Sequence, residues 1–203
     1  MKNRTNVRWL TQIALLAAIL LVLNYTPLGY LQVGPLSASL LTVPVAIGAI
    51  TMGPAAGALL GALFGATSFM QALQGKSVMG GALFAASPAG YFVVSVIGRV
   101  LMGLCVGLIF AALQKVLPKK EKLTCYIAAF CAPFLNTVFY MGLLVAIFYN
   151  SEFVQNLAAK KGATNPLMFI VLVVGVQAVI EWCVCCAVAG TIALPVRKYM
   201  KNN

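Results

Sequence analysis

Uncharged apolar runs long enough to cross a lipid bilayer recur along this chain, and they constrain its fold more than any other feature. A hydrocarbon core of about 30 Å needs about 20 apolar residues per helix. The chain is 62% hydrophobic and only 8% charged, whereas about 25% of the residues of a soluble domain are charged. We therefore predict an all-α integral membrane protein, built as a single transmembrane domain over residues 1–203.

Six segments are predicted to span the membrane. The second ends at Gly53-Pro54, and the fourth and sixth begin at prolines, which the first turn of a helix tolerates. Residues 74–86 are predicted to form a loop, a partial helix or a re-entrant segment. The six predicted spans are 9–23, 37–52, 55–73, 88–113, 123–149 and 166–200.

The lysines and arginines predict the orientation of these spans. Three precede the first span, four lie between the fourth and fifth, three close the chain, and three fall on the opposite side. Because cytoplasmic loops are enriched in Lys and Arg, this distribution favours six spans with both termini in the cytoplasm. The net charge of +11 is therefore interpreted as a topology signal and not as a nucleic-acid-binding surface.

Few residues of this chain suit catalysis. It has no histidine and three acidic residues, Glu121, Glu152 and Glu181, and no phosphate-binding GxxxxGK[ST] pattern. The six cysteines lie in or beside apolar runs, where a thiol behaves as a small apolar group. We predict no catalytic residue, no cofactor and no metal site, so the chain is not expected to be an enzyme.

Stripes of small residues let two helices approach closely. Gly57, Gly61 and Gly65 form such a stripe, which we predict packs within the molecule. On the first span, Ala14 and Ala18 form a second stripe, with Ala17 beside it. That stripe either packs internally or docks another subunit.

Arg99 is the most unusual residue within a predicted span, since a central Arg costs about 2.5–3.5 kcal/mol on insertion scales. Glu181 is its expected counter-ion. One interpretation is a buried ion pair that locks two helices. A second is that the planar guanidinium receives a substrate carboxylate or phosphate. A third is that a shifted span lets Arg99 snorkel to the interface.

Two further polar pairs have helical i, i+4 spacing, so each lies on one helix face. Asn136 and Tyr140 form the first, after Pro133, and Gln177 and Glu181 form the second. Each residue alone can serve as a helix–helix hydrogen bond. Together with Arg99, the four predict a solvated ligand cavity.

The uncharged loop 24–36 follows the first span and is expected on the outer side. It carries Tyr25, Tyr30 and Gln32, and prolines and glycines fix its path. We interpret it as an ordered extracellular loop, either a lid over a site or an interfacial aromatic belt.

Five sequence stretches carry a resemblance to a known family: TPLGY at 26–30, VPVAIGAI at 43–50, MGPAAG at 52–57, GRVLMG at 98–103 and LNTVFYMG at 135–142. With six short spans and the small-residue stripe on the first, the chain resembles the substrate-binding S component of an energy-coupling-factor (ECF) vitamin transporter. It is most similar to the pantothenate-type branch, over nearly the whole chain.

The resemblance implies a subunit of the bacterial cytoplasmic membrane that binds a vitamin with high affinity. It implies docking, through Ala14 and Ala18 with Ala17 beside them, on a membrane T subunit that couples to two ABC-type ATPases. The S component then reorients in the bilayer, and the loop 24–36 acts as a lid.

Under that resemblance each site residue has an expected role. Arg99 holds the ligand's anionic group, and Glu181 either orients Arg99 or binds a ligand amine. Hydrogen bonds come from Asn136, Tyr140 and Gln177. Tyr25, Tyr30 and Gln32 belong to the lid.

Two alternatives remain open from the sequence. An S component for riboflavin or another neutral or cationic vitamin is favoured if Glu181 fully neutralises Arg99. A small membrane assembly or scaffold protein, without ligand or ATPase partner, is favoured if the polar groups serve packing alone.

Overall fold

The computed structural model describes residues 2–26, 29–33 and 36–202, excluding the side chains of residues 2–6, 30–33, 36–38, 176 and 200–202. Over these ranges the chain forms nine α-helices, a π-helical turn and a short β-hairpin. The helices are α1 (Lys2–Tyr25), α2 (Thr42–Met52), α3 (Pro54–Leu73), α4 (Val78–Ala86), α5 (Pro88–Phe92), α6 (Gly98–Val116), α7 (Glu121–Phe148), α8 (Glu152–Lys161) and α9 (Pro166–Asn202), with the π-turn at Val93–Ile97.

The predicted helical membrane fold is confirmed in outline. In the described part of the chain, five helical stretches are long and apolar enough to cross a bilayer, and a sixth is added if the pair Glu152–Lys161 and Pro166–Gly175, bent by 72°, counts as one span. The third to sixth predicted spans agree with α3, α5–α6, α7 and α9 to within three residues at each end. The first helix begins at Lys2, earlier than predicted.

The second predicted span, 37–52, is wrong at its beginning. Strands β1 (Tyr30–Val33) and β2 (Leu36–Ser39) pair antiparallel, and α2 starts only at Thr42. With 11 residues, α2 is about 16 Å long, roughly half of a bilayer core. The uncertain stretch 74–86 contains α4, whose first turn is capped by the Ser77 hydroxyl accepting from the Gly80 N–H.

Helices α3 and α6 run antiparallel with their backbones in contact, as the glycine stripe predicts. A Cβ on Gly57 would meet the Gly103 carbonyl oxygen, and one on Gly61 would meet the Arg99 carbonyl oxygen. A Cβ on Gly65 would lie 2.6 Å from the Ser95 carbonyl oxygen. Only glycine permits this approach, so intramolecular packing of the stripe is confirmed.

The two ends of the described chain lie at the same end of the molecule. The Arg8 guanidinium, near the start of α1, lies 5.9 Å from the ring centroid of Tyr199, near the end of α9. We call this the terminal end, and the opposite one the distal end. The α6–α7 link and the helix ends that flank it carry four lysines and also lie at the terminal end, so these cations fall where the positive-inside rule groups them.

The described buried apolar residues form two cores. The terminal core joins α1, α2, α3, α6, α7 and α9, and includes Met102, Ala132 and Cys185. The distal core joins α3, α4, α5, the π-turn, α7, α8 and α9, and includes Val94, Met141 and Phe169. Along α9, Gln177 and Glu181 lie between the two cores, as Arg99 does along the π-turn and α6.

A polar cluster ties four helices together at the terminal end. Arg197 of α9 donates to Glu121 of α7 at 2.6 Å, to the Ile50 carbonyl of α2 at 3.1 Å and to Gln114 of α6 at 3.4 Å. Its guanidinium lies 4.5 Å from the ring centroid of Phe110. The Ile50 carbonyl is in the last turn of α2, where a cation also favours the helix dipole.

Replacing Arg197 by Met should destabilise the protein by about 1–3 kcal/mol, because the change leaves Glu121 and the Ile50 carbonyl without this donor. The measurement is unfolding in detergent micelles by heat or by SDS titration. Lys198→Met, at the exposed neighbouring cation, is the matched control and should leave stability within about 0.5 kcal/mol. Equal stabilities of the two variants would contradict a stabilising role for the polar cluster around Arg197.

Candidate ligand cavity

A cavity of about 440 Å³ lies between the terminal and distal cores. This volume is within the range of about 300–1,000 Å³ for small-molecule sites. One part of its wall is apolar, and the remainder carries polar side chains from α6, α7 and α9, together with Ser39 of β2 and Ser77, the N-cap of α4. The described residues that line it are Ser39, Phe64, Ser77, Met79, Arg99, Asn136, Thr137, Tyr140, Met141, Val173, Val174, Gln177, Ala178 and Glu181.

Arg99 is held in this wall by two aromatic rings. Its guanidinium carbon lies 4.3 Å from the ring centroid of Phe64 and 4.9 Å from that of Tyr140. One guanidinium nitrogen donates to the Ser95 carbonyl at 2.8 Å. Ser95 belongs to the π-turn, a feature that recurs at functional sites. With 9% of its surface exposed, Arg99 is buried, so the snorkelling interpretation is wrong.

Glu181 faces the same cavity and is 8% exposed. Its Oε1 accepts from the Ser39 backbone N–H at 2.8 Å and from the Gln177 amide at 3.2 Å. Arg99 adds a favourable electrostatic interaction to the carboxylate. The hairpin, α6 and α9 therefore meet around one acidic side chain, and the i, i+4 pair on α9 is confirmed as one polar face.

Helix α7 contributes Asn136, Thr137 and Tyr140. Pro133 interrupts the helix hydrogen bonding one turn earlier, and the Thr137 hydroxyl donates to its carbonyl at 3.0 Å. The Asn136 Oδ1 atom is buried and has no hydrogen-bond partner among the described residues. A buried amide oxygen without a donor costs about 1–3 kcal/mol, which a ligand N–H or O–H would offset.

The sequence-predicted site residues divide into two groups. Arg99, Asn136, Tyr140, Gln177 and Glu181 all line the cavity.

The lid residues do not join that group in the described structure. Tyr25 ends α1, with 63% of its surface exposed, and the Lys76 ammonium lies 5.9 Å from its ring centroid. The side chains of Tyr30 and Gln32 lie outside the described part of the chain, although the backbone of both belongs to β1. The hairpin base is closed by the Leu40 N–H donating to the Gly29 carbonyl at 2.9 Å.

Several lining residues were not predicted from the sequence. Ser39 and Phe64 are brought to the cavity only by tertiary approach. Ser77 carried a usable signal for a helix start, because a serine before an apolar run is a typical helix N-cap, but this signal does not indicate that the helix starts beside the cavity. The apolar wall of Met79, Val173 and Val174 looks like any other membrane helix surface.

The candidate docking residues lie on α1. Ala14 and Ala18 are exposed, whereas Ala17 packs against the terminal core. The stripe Ala14-x-x-x-Ala18 is therefore on the outer surface of the molecule, and Ala17 faces inward.

The cysteines near the end of the chain are spread around α9 as expected. Cys185 is buried, Cys186 is half-buried and Cys183 is exposed, all as free thiols. In the described residues no group of three or more His, Cys, Asp or Glu side chains is placed to hold a metal ion.

The cavity thus combines one stacked cation, one hydrogen-bonded carboxylate, amide and hydroxyl groups, and an apolar wall. This set suits recognition of a small molecule that carries an anionic group and several hydrogen-bonding groups.

The family model for the ECF transporter, substrate-specific component, matches residues 8–193. No curated protein matches the chain. The matched range contains every cavity residue named above and both alanines of the α1 stripe.

Proposed function

Because this chain belongs to the family of ECF transporter substrate-specific components, which are substrate-binding subunits of membrane transporters, we propose that it binds a vitamin, pantothenate, with high affinity for uptake. It delivers the vitamin by docking on a membrane T subunit and reorienting in the bilayer. The energy comes from two ABC-type ATPases coupled to that T subunit, since this chain has no phosphate-binding motif of its own.

The observation that carries this proposal is the stacking of Arg99 inside the cavity. The guanidinium carbon lies over the Phe64 ring and over the Tyr140 ring, and Arg99 is one of the residues that line the cavity. A guanidinium presents its donors as a planar fork that matches a carboxylate, and pantothenate ends in a carboxylate.

The remainder of the cavity suits the remainder of that ligand. Pantothenate has an amide, two hydroxyl groups and a dimethyl-substituted carbon. Asn136, Tyr140 and Gln177 offer hydrogen bonds to the amide and hydroxyl groups. The buried Asn136 Oδ1 accepts a hydrogen bond from one of these ligand groups. Val173 and Val174 supply an apolar contact for the methyl groups.

The position of the cavity along the helices supports uptake from outside the cell. Glu181 lies 16 residues before Arg197 on α9, which is about 24 Å along the helix. The cavity is therefore far from the lysine-rich terminal end. With the terminal end in the cytoplasm, as the positive-inside rule indicates, the cavity lies in the outer half of a bilayer of about 30 Å.

Docking on the T subunit is proposed to use the Ala14 and Ala18 surface of α1. Both alanines are exposed, and small residues allow a partner helix to approach the backbone of α1 closely. Ala17, which packs inward, supports the helix from behind and does not contact the partner.

Glu181 supports a second candidate ligand, a neutral or cationic vitamin. Its carboxylate offsets the charge of Arg99 inside one cavity, which favours a neutral ring such as riboflavin, or a cationic vitamin. Such a ligand would occupy the same cavity, and Glu181, instead of a ligand carboxylate, would neutralise Arg99.

Identification of the co-purified ligand tests the proposal. The chain is purified in detergent without added vitamin, denatured, and the released small molecules are identified by mass spectrometry. We expect pantothenate at close to one molecule per chain. Stoichiometric riboflavin or a cationic vitamin would replace the substrate assignment and keep the subunit role. A blank sample that also shows no thermal shift with any water-soluble vitamin would contradict a binding role and favour the scaffold alternative.

A further inference from the structure

An apolar groove runs along the outer surface of the molecule between α1, α2 and α9. Its volume is about 280 Å³. Leu16 and Ile19 line it from α1, Ile47 from α2, and Ile192 and Val196 from α9. Ile19, Ile192 and Val196 are exposed on its rim, so the groove opens toward the lipid.

The length and the lining of the groove indicate what fits into it. From Gln12 to Leu23, the lining residues of α1 span about 16 Å. Apart from Gln12 and Thr51, the described lining residues are apolar. An elongated apolar groove that opens toward the lipid suits a hydrocarbon chain.

The terminal end of this groove carries positive charge. Arg8 lies one helical turn before Gln12 on the same face of α1, and its guanidinium lies 5.9 Å from the ring centroid of Tyr199. Tyr199 follows Val196 by three residues on α9. Arg8 thus lies between the two helices where the groove ends, and Lys198, an exposed cation, lies beside Tyr199.

We infer that this groove binds one acyl chain of an anionic phospholipid, whose phosphate group lies against Arg8. The apolar walls take the chain, and the cation at the terminal end selects the charge of the headgroup. Ala14 and Ala18 are not among the described lining residues, so the lipid site and the small-residue stripe are different faces of α1.

Lipid retention after reconstitution tests this inference without any vitamin. The chain is placed in nanodiscs containing equal amounts of phosphatidylcholine and phosphatidylglycerol, extracted in mild detergent, and analysed by native mass spectrometry. We expect one bound lipid, with phosphatidylglycerol enriched about fivefold, the effect of one cation near the headgroup. Arg8→Gln should retain the lipid and lose the enrichment.

A second test of the lipid site fills the groove with a large side chain. Ile192→Trp places a large side chain into the groove and should lower lipid occupancy at least about fivefold, as expected for loss of an acyl chain contact. Val188→Trp, one turn earlier on α9 at an exposed position outside the groove, is the matched control and should retain the lipid. Equal retention of the two phospholipids by the unmodified chain, or unchanged occupancy in Ile192→Trp, would overturn the inference.

Discussion

Replacing Arg99 by Gln is expected to weaken binding of a carboxylate ligand by about 2–5 kcal/mol, which is a loss of about 30-fold to several thousand-fold in affinity. The variant keeps a polar side chain, shorter than that of Arg, and removes the charge and the paired donors. The surrounding rings of Phe64 and Tyr140, at 4.3 and 4.9 Å from the guanidinium, then lose their cation. The measurement is equilibrium binding of labelled vitamin to the purified chain.

A change on the ligand side makes this test specific to the anion. The carboxamide analogue of the vitamin lacks the charge, so it should bind the unmodified chain much more weakly than the vitamin does. In Arg99→Gln, the vitamin and its carboxamide should bind almost equally, because the partner of the charge is gone. Lys115→Gln, an exposed cation near the end of the same helix, should bind as the unmodified chain does. If Arg99→Gln kept full affinity and still preferred the carboxylate, the anion would be bound elsewhere.

Gly61→Ala is expected to reduce both stability and ligand affinity. The added methyl group would clash with the Arg99 carbonyl oxygen, so α3 and α6 must separate. Overpacking of this kind costs about 1–3 kcal/mol. Because the displaced backbone is that of Arg99 itself, the guanidinium should also leave its position between the two rings.

Two other glycines separate these effects. Gly57→Ala makes the same kind of backbone clash with the Gly103 carbonyl, one turn away from Arg99, and should reduce stability with a smaller loss of affinity. Gly142→Ala adds its methyl group where no atom lies within 4 Å, and should be neutral or stabilising by about 0.5–1 kcal/mol. Thermal unfolding in detergent and vitamin binding are measured for all three. A Gly61→Ala protein as stable as Gly142→Ala would contradict close packing of α3 on α6.

The cavity's polar residues were predictable because the membrane makes polar residues conspicuous. In a chain with few charges, a central arginine and two i, i+4 polar pairs need partners, and these five residues do line one cavity. Phe64 carried no such signal, because an apolar aromatic residue is ordinary in a membrane helix. Its position over Arg99 follows from the glycine contacts of α3, which a single sequence indicates only as a stripe.

The errors at the secondary-structure level also have physical causes. Residues 37–41 are apolar or small, and a short apolar run does not distinguish a strand from a helix. The predicted second span therefore wrongly assigned most of β2 to a helix. Helix α8 was not predicted because it is short and ends in two lysines. Its buried face consists only of Val154 and Ala158, which is too weak a pattern to indicate a helix.

The two separate cores have a consequence for how the molecule responds to what fills its cavity. The cavity between the two cores is lined partly by polar groups. Side-chain packing between the cores is therefore incomplete until a ligand fills the cavity. Any such occupant binds the folded chain and not the unfolded one, so by mass action it raises the unfolding free energy by about 2.7 kcal/mol at a concentration of 100 times its dissociation constant. The ligand-bound chain therefore resists unfolding and proteolysis better than the empty chain. The amount of folded protein that remains in a membrane is then expected to rise with the concentration of its ligand.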